Sequence, residues 1–254
     1  MEVIRQKIKS LKGEIATVIS YPKNNKNKLA ILCPGYLDSK DYEHLVMLSK
    51  ELNDLGFTVV RFDPIGTWDS DGVISDYTNS QYLNDIKVVI DYMLTKSVFN
   101  QIIIGGHSRG GQISILYAAR DQRINLVLGI MASSGSAEGN FRLDWEEKGA
   151  MYSQRDFPFN KEGKKEYYVP FSHVLDADRY DVIKDVKNIN IPIILIAGEL
   201  DDIVTPNDVK EIFDSANEPK EFIFLKNIGH NYRNNKKEIR YVNENIVNTL
   251  NKYL

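Results

Sequence analysis

A chain of 254 residues fits one α/β domain with room for a small excursion, and its 43% hydrophobic content supports a sizeable core. The formal net charge of −3 removes the electrostatic case for a nucleic-acid partner, and a single cysteine, Cys33, excludes an intramolecular disulfide. No stretch approaches the roughly 18 apolar residues of a membrane span, and "MEVIRQKIKS" lacks the apolar centre of a signal peptide, so a cytoplasmic location without membrane insertion is expected.

Along the chain, short apolar runs alternate with longer amphipathic stretches. "EIATVISYP" (14–22) alternates like a half-exposed strand, closed by Pro22 and the polar turn "KNNKNK". "LAILC" (29–33), "FTVVRF" (57–62), "IIIGG" (102–106), "LVLGIMA" (126–132) and "IPIILIAG" (191–198) have the aliphatic continuity of strands buried on both faces. Between them Leu45, Leu48, Leu52 and Leu55 recur at helical spacing before Gly56, and Leu83, Ile86, Val89, Ile90 and Met93 form a second stripe. Further helices are expected from Ile113 to Ala119, from Pro206 to Phe213 and from Lys237 to Leu254. Strand–helix alternation predicts a mainly parallel sheet with helices on both faces.

Residues 134–185 break the rhythm. They have no long apolar run but hold Trp145, Tyr152, Phe157, Phe159, Tyr167, Tyr168 and Phe171. "AMYSQRD" and "EYYVPFS", flanking the turn-prone "NKEGKK", predict a hairpin in an inserted lid. The core is then 1–133 and 186–254. Lys161, Lys164 and Lys165 are interleaved with Glu162 and Glu166, the pattern of a solvated loop and not of a phosphate patch.

The stretch that carries chemistry is "QIIIGGHSRGGQISILYAAR" (101–120). Gly106-His107-Ser108-Arg109-Gly110 matches G-x-S-x-G between a strand and a helix. A turn this tight forces the serine outward, and side chains at 106 and 110 would collide with neighbouring backbone. A serine hydroxyl needs a base, and the base a partner that holds its tautomer. Of four histidines, His107 would diverge from Ser108, His44 opens an early helix, and His173 lies in the insertion. His230, in "KNIGHNY" after strand-like "EFIFL", is the expected base, with His173 the alternative.

Where such an elbow serves a triad, the acid lies between serine and histidine in the chain. "ELDDIVTP" supplies Asp201, with Asp202 as its rival; since Thr205-Pro206 already reads as an N-cap and first helical residue, Asp201 is free for another role. Two backbone N–H donors complete the expectation. Arg109 offers one at the start of its helix, and Tyr36 in "LCPGYLDS" offers the other, where Gly35 permits close approach. Cys33 reads as an apolar strand residue.

Taken together, these pieces resemble an α/β-hydrolase. The chain is similar in particular to small carboxylesterases related to cinnamoyl and feruloyl esterases and to serine aminopeptidase S33-like hydrolases. "CPGYLDSKDYEHLVMLSKELNDLGFTVVRFDPIGTWDSDG" matches the family's oxyanion loop, first helix and next strand, "GGHSRGG" the elbow, "GELDDIVTP" the acid loop and "IGHNY" the histidine loop. The acid motif places the family's aspartate three residues after the glycine, here Gly198, which favours Asp201. Two departures stand out: Pro34-Gly35 replaces the usual His-Gly, and "FDPIGTWDSDG" replaces a glycine-rich R-G-x-G-x-S element.

The resemblance implies a serine carboxylesterase acting on small acyl or aryl esters through an acyl-enzyme, with the insertion as lid. Thioesterase, lipase and amidase or peptidase activities use the same residues and stay open, since the pocket decides between them. A non-catalytic binding protein of this fold would be expected to have lost one of the three residues. The expected partner is a small-molecule ester, with a homodimer left open, and no cofactor or metal is implied.

Overall fold

The computed structural model describes residues 2–159 and 161–254. Its centre is an eight-stranded sheet built from β1 (Glu2–Ser10), β2 (Gly13–Tyr21), β3 (Lys28–Cys33), β4 (Phe57–Phe62), β5 (Gln101–His107), β6 (Leu126–Ile130), β9 (Ile193–Gly198) and β10 (Lys220–Leu225). The spatial order is β1-β2-β4-β3-β5-β6-β9-β10. The first two strands run antiparallel to their neighbours, and from β4 to β10 every pairing is parallel.

Side chains alternate across the parallel strands, so consecutive aliphatic residues feed two cores. Ile31, Ile102, Ile104 and Leu195 point to one, shared with α2 (Asn79–Lys96), α3 (Arg109–Ala118) and α7 (Pro206–Ser215). Ala30, Leu32, Ile103, Ile194 and Ile196 point to the other, closed by α1 (Glu43–Asp54) and α8 (Lys236–Leu250). The apolar stripes expected to be helices are those that seal the cores: Leu45, Leu48 and Leu52 on one face, Ile86, Val89, Ile90 and Met93 on the other.

Three features differ from the sequence expectation. The N-terminal segment is β1, an edge strand whose single buried side chain is Ile8. β6 stops at Ile130, because Met131 turns to φ +47°. Lys164 and Lys165 lie in a strand and not in a loop, and Lys165 Nζ donates to the Trp68 carbonyl at 2.6 Å.

Between β6 and β9 the chain forms α4 (Gly139–Lys148), the antiparallel pair β7 (Ala150–Asp156) and β8 (Lys164–Pro170), then α5 (Ser172–Ala177) and α6 (Val182–Asp185). The turn expected at "NKEGKK" begins at Asn160, which lies outside the described residues, as does Met1. The hairpin is fastened to the body by polar contacts. Tyr42 donates its hydroxyl to the Asp156 carbonyl (2.8 Å), Trp68 N–H donates to the Tyr167 hydroxyl (3.1 Å), and Arg155 donates twice to the Tyr36 carbonyl (3.0 and 3.2 Å). Within the segment, Trp145 Nε1 donates to the Val169 carbonyl (2.8 Å). No helix among the described residues is long and apolar enough to cross a membrane.

Candidate active site

Strand β5 ends at His107 and α3 begins at Arg109, so the whole turn falls on Ser108, which sits at φ +55°, ψ −123°. A non-glycine residue in this region is strained, and it persists only where its surroundings enforce it. Those surroundings are Gly106 and Gly110: a Cβ at either would land on the Cys33 carbonyl oxygen of the adjacent strand. The Ser108 N–H is held by the Ile130 carbonyl at 2.8 Å.

His230 and Asp201 come to this serine from two loops at the same, C-terminal edge of the sheet. His230 Nε2 lies 3.0 Å from Ser108 Oγ, and His230 Nδ1 lies 2.7 Å from Asp201 Oδ2. A carboxylate can only accept, so the ring proton is on Nδ1 and Nε2 faces the serine hydroxyl as acceptor. Asp201 is itself oriented by the N–H groups of Ile203 (2.9 Å) and Val204 (2.8 Å), both bound to Oδ1. Asp202 is exposed and belongs to no such chain. Thr205 caps α7 through a capping box with Asp208, and Pro206 is its first residue.

The other histidines have separate places. His107 packs against the rear of His230 (centroids 4.5 Å) and against Tyr232 (5.2 Å), with His44 on its far side (5.8 Å). Burial, then the neighbouring His230 and His44, holds the His107 pKa well below the ordinary value, and burial pushes His44 down to about 4. Both rings are therefore neutral. His44, His107 and Asp38 bring one potential metal-ligand atom each to within 4.8 Å of one another. The fit to a cation is poor, because Asp38 already faces the guanidinium groups of Arg233 and Arg155. His173, the alternative base, bonds through Nδ1 to the Tyr77 carbonyl (2.7 Å) and through Nε2 to Arg109, away from the serine hydroxyl.

The loop after β3 presents Tyr36 beside the elbow, and its backbone is fixed on every side. Tyr82 donates to the Pro34 carbonyl (2.8 Å), Arg155 to the Tyr36 carbonyl, Trp68 Nε1 to the Leu37 carbonyl (2.9 Å), and Leu37 N–H donates to the Tyr77 hydroxyl (3.1 Å). The amides of Tyr36 and Arg109 have no acceptor among the described residues. Pro34-Gly35 thus has its own supports, and Trp68 of the divergent "FDPIGTWDSDG" segment is one of them. Asp63 of that segment receives Lys40 twice, through N (2.8 Å) and Nζ (2.6 Å).

Ser108 opens into a cavity of about 420 Å³. Phe141, Trp145, Val174 and Val204 give it apolar walls, and Asn79, Arg109 and His173 give it polar ones. Of the insertion's expected aromatics only Trp145 is among these lining residues; Tyr152 and Tyr168 pair on the exposed face of the hairpin. Phe157 and Phe159 border a larger groove of about 650 Å³ near α1 that does not include Ser108. Tyr77, Tyr82, Arg155 and Asn79 were not visible as site residues in the sequence, since Asn79 and Tyr82 come from α2, Tyr77 from the turn just before it and Arg155 from β7, all far along the chain from the elbow.

A serine on a strand–helix elbow, with an acid and a histidine on later loops of a parallel sheet, defines the α/β-hydrolase class. A family model described as "alpha/beta hydrolase fold" matches residues 29–167, more than half of the chain, and the chain belongs to that family. It is 24% identical over 207 residues to the rat mitochondrial palmitoyl-protein thioesterase ABHD10, covering 79% of this chain and 68% of that protein. Among solved structures it resembles Est1E from Butyrivibrio proteoclasticus with ferulic acid bound (TM-score 0.79, 20% identity, 97% of this chain and 98% of that one). It also resembles mouse alpha/beta hydrolase domain-containing protein 10 (TM-score 0.76, 20% identity, 99% of this chain and 100% of that one). At these identities the structural likeness concerns the fold.

Proposed function

We propose that the protein is a serine hydrolase of carboxylic esters or thioesters with small acyl groups. The observation that carries this reading is the unbroken hydrogen-bond chain from Ser108 through His230 to Asp201, starting at a strained elbow. His230 Nε2 takes the hydroxyl proton as Ser108 Oγ attacks the acyl carbonyl. Charge on the tetrahedral oxygen is met by the N–H groups of Tyr36 and Arg109, which have no other acceptor among the described residues to leave. His230 returns the proton to the departing alcohol or thiol, and water, activated the same way, releases the acid from Ser108. Asp201 keeps the ring in the tautomer that every step needs, and α4 with the β7–β8 hairpin serves as the lid over the acyl pocket.

The thioesterase activity for which the rat relative is named favours testing sulfur leaving groups beside oxygen ones. Hydrolysis of 4-nitrophenyl acetate and of acetyl thiocholine by the wild type, reduced at least about 1,000-fold in Ser108→Ala, is the expected result. Equal rates in the two proteins would overturn the reading. The ratio of ester to thioester turnover then assigns the leaving group.

A further inference from the structure

The cavity beside Ser108 holds a positive charge with no counter-ion among the described residues. The Arg109 side chain is 6% exposed and lies over the Tyr77 ring at 4.4 Å and the Tyr36 ring at 5.9 Å. Its Nη1 donates to His173 Nε2. That nitrogen is an acceptor because the ring's other nitrogen gives its proton to the Tyr77 carbonyl, and burial beside Arg109 holds the His173 pKa well below the ordinary value. Among the described residues, the groups that contact the guanidinium are therefore neutral. Its Nε and Nη2 have no hydrogen-bond partner among the described residues. A guanidinium does not give up its proton, and burying a charge with no opposite charge is strongly unfavourable.

A second unpartnered group faces the same cavity. Asn79, 1% exposed at the start of α2, has no hydrogen-bond partner among the described residues for either its amide nitrogen or its amide oxygen. The cavity's lone carboxylate among the described lining residues, Glu138, is exposed at its rim. Nε and Nη2 form the side-on edge of the guanidinium, whose two parallel N–H groups match the two oxygens of a carboxylate. One fixed charge and one neutral amide suit a monoanion better than a phosphate dianion.

We infer that this cavity recognises a carboxylate at the far end of the acyl group: the substrates are monoesters or monothioesters of dicarboxylic acids. The inference rests on the reading of Ser108 as nucleophile. The scissile carbonyl sits at Ser108, the free carboxylate is taken by Arg109 and Asn79, and hydrolysis yields the dicarboxylic acid and the alcohol or thiol. The same buried guanidinium disfavours an acyl chain that ends in a methyl group.

The test compares 4-nitrophenyl hydrogen adipate with 4-nitrophenyl methyl adipate, which share leaving group and chain but differ in charge. The wild type is expected to prefer the acid by about ten-fold or more in kcat/KM. In Arg109→Met the ratio of acid to methyl ester falls towards one, whatever happens to the absolute rates. A purely structural role for Arg109 would lower both substrates together and leave the ratio unchanged, which overturns the inference. Free adipate should also bind Ser108→Ala by calorimetry, a readout that needs neither turnover nor the arginine variant. Turnover of the methyl ester at least as fast as the acid, with no adipate binding, overturns the inference and leaves the hydrolase reading standing. Adipate binding without hydrolysis of any ester supports the carboxylate site and overturns the hydrolase reading.

Discussion

Ser108 occupies a backbone conformation that costs about 1–3 kcal/mol for a residue with a side chain. Such a cost is retained where it points a hydroxyl at His230, 3.0 Å away. Ser108→Gly relieves it, so the variant should gain about 1 kcal/mol in urea unfolding while losing turnover; a less stable variant would mean that the elbow is not strained. Ser108, His230 and Asp201 were legible in the sequence because residue type, glycine spacing and chain order are all local signals. Arg109 was legible only as a backbone donor. The burial of its side chain depends on Tyr77 and His173 converging from separate segments, which no local spacing records.

At the scale of elements, the aliphatic strands and helical stripes were readable because each is buried on a fixed period. Strand β1 was not, because its side chains are mostly exposed and two of its charges are paired, Arg5 with Asp41 and Lys7 with Asp71. Charged edge strands guard against edge-to-edge association, and the same charges hide them from a hydrophobic pattern. The β7–β8 pair was readable from its alternation, but its consequence was not. Arg155 clamps the Tyr36 carbonyl from 119 positions away and so ties the hairpin to the loop that presents the Tyr36 amide. Arg155→Ala should lower kcat/KM for 4-nitrophenyl acetate about ten-fold, with a stability change within about 1 kcal/mol. Unchanged kinetics in a folded variant would remove the hairpin from the positioning of that loop.

For the whole molecule, buried titratable groups around the site set the pH response. His44 is ringed by Tyr42, His107 and Tyr232, and its ring nitrogens have no hydrogen-bond partner among the described residues. With its folded pKa pushed to about 4, the unfolded chain binds more protons than the folded one between about pH 6.5 and 4. Its contribution to stability is full above that window and is lost as pH falls, by about 1.4 kcal/mol per pH unit. Burial raises Asp63 to about 6 and Asp85 to about 7, and these oppose it, since the folded chain then holds the extra protons and stability falls as pH rises from about 4 towards those values. A variant comparison isolates the histidine. Relative to wild type, His44→Phe should gain about 1 kcal/mol for each pH unit between 6 and 4.5 in urea unfolding, and a constant difference across that range would mean that His44 is not held neutral.

Nucleophilic attack by Ser108 underlies the whole proposed reaction, and a fluorophosphonate probe tests it directly. Intact mass spectrometry should find a single adduct, and fragmentation should place it on Ser108 within the peptide spanning 101–120; Ser108→Ala should remain unmodified. Absence of an adduct on the folded wild type, or an adduct that persists in Ser108→Ala, would contradict it.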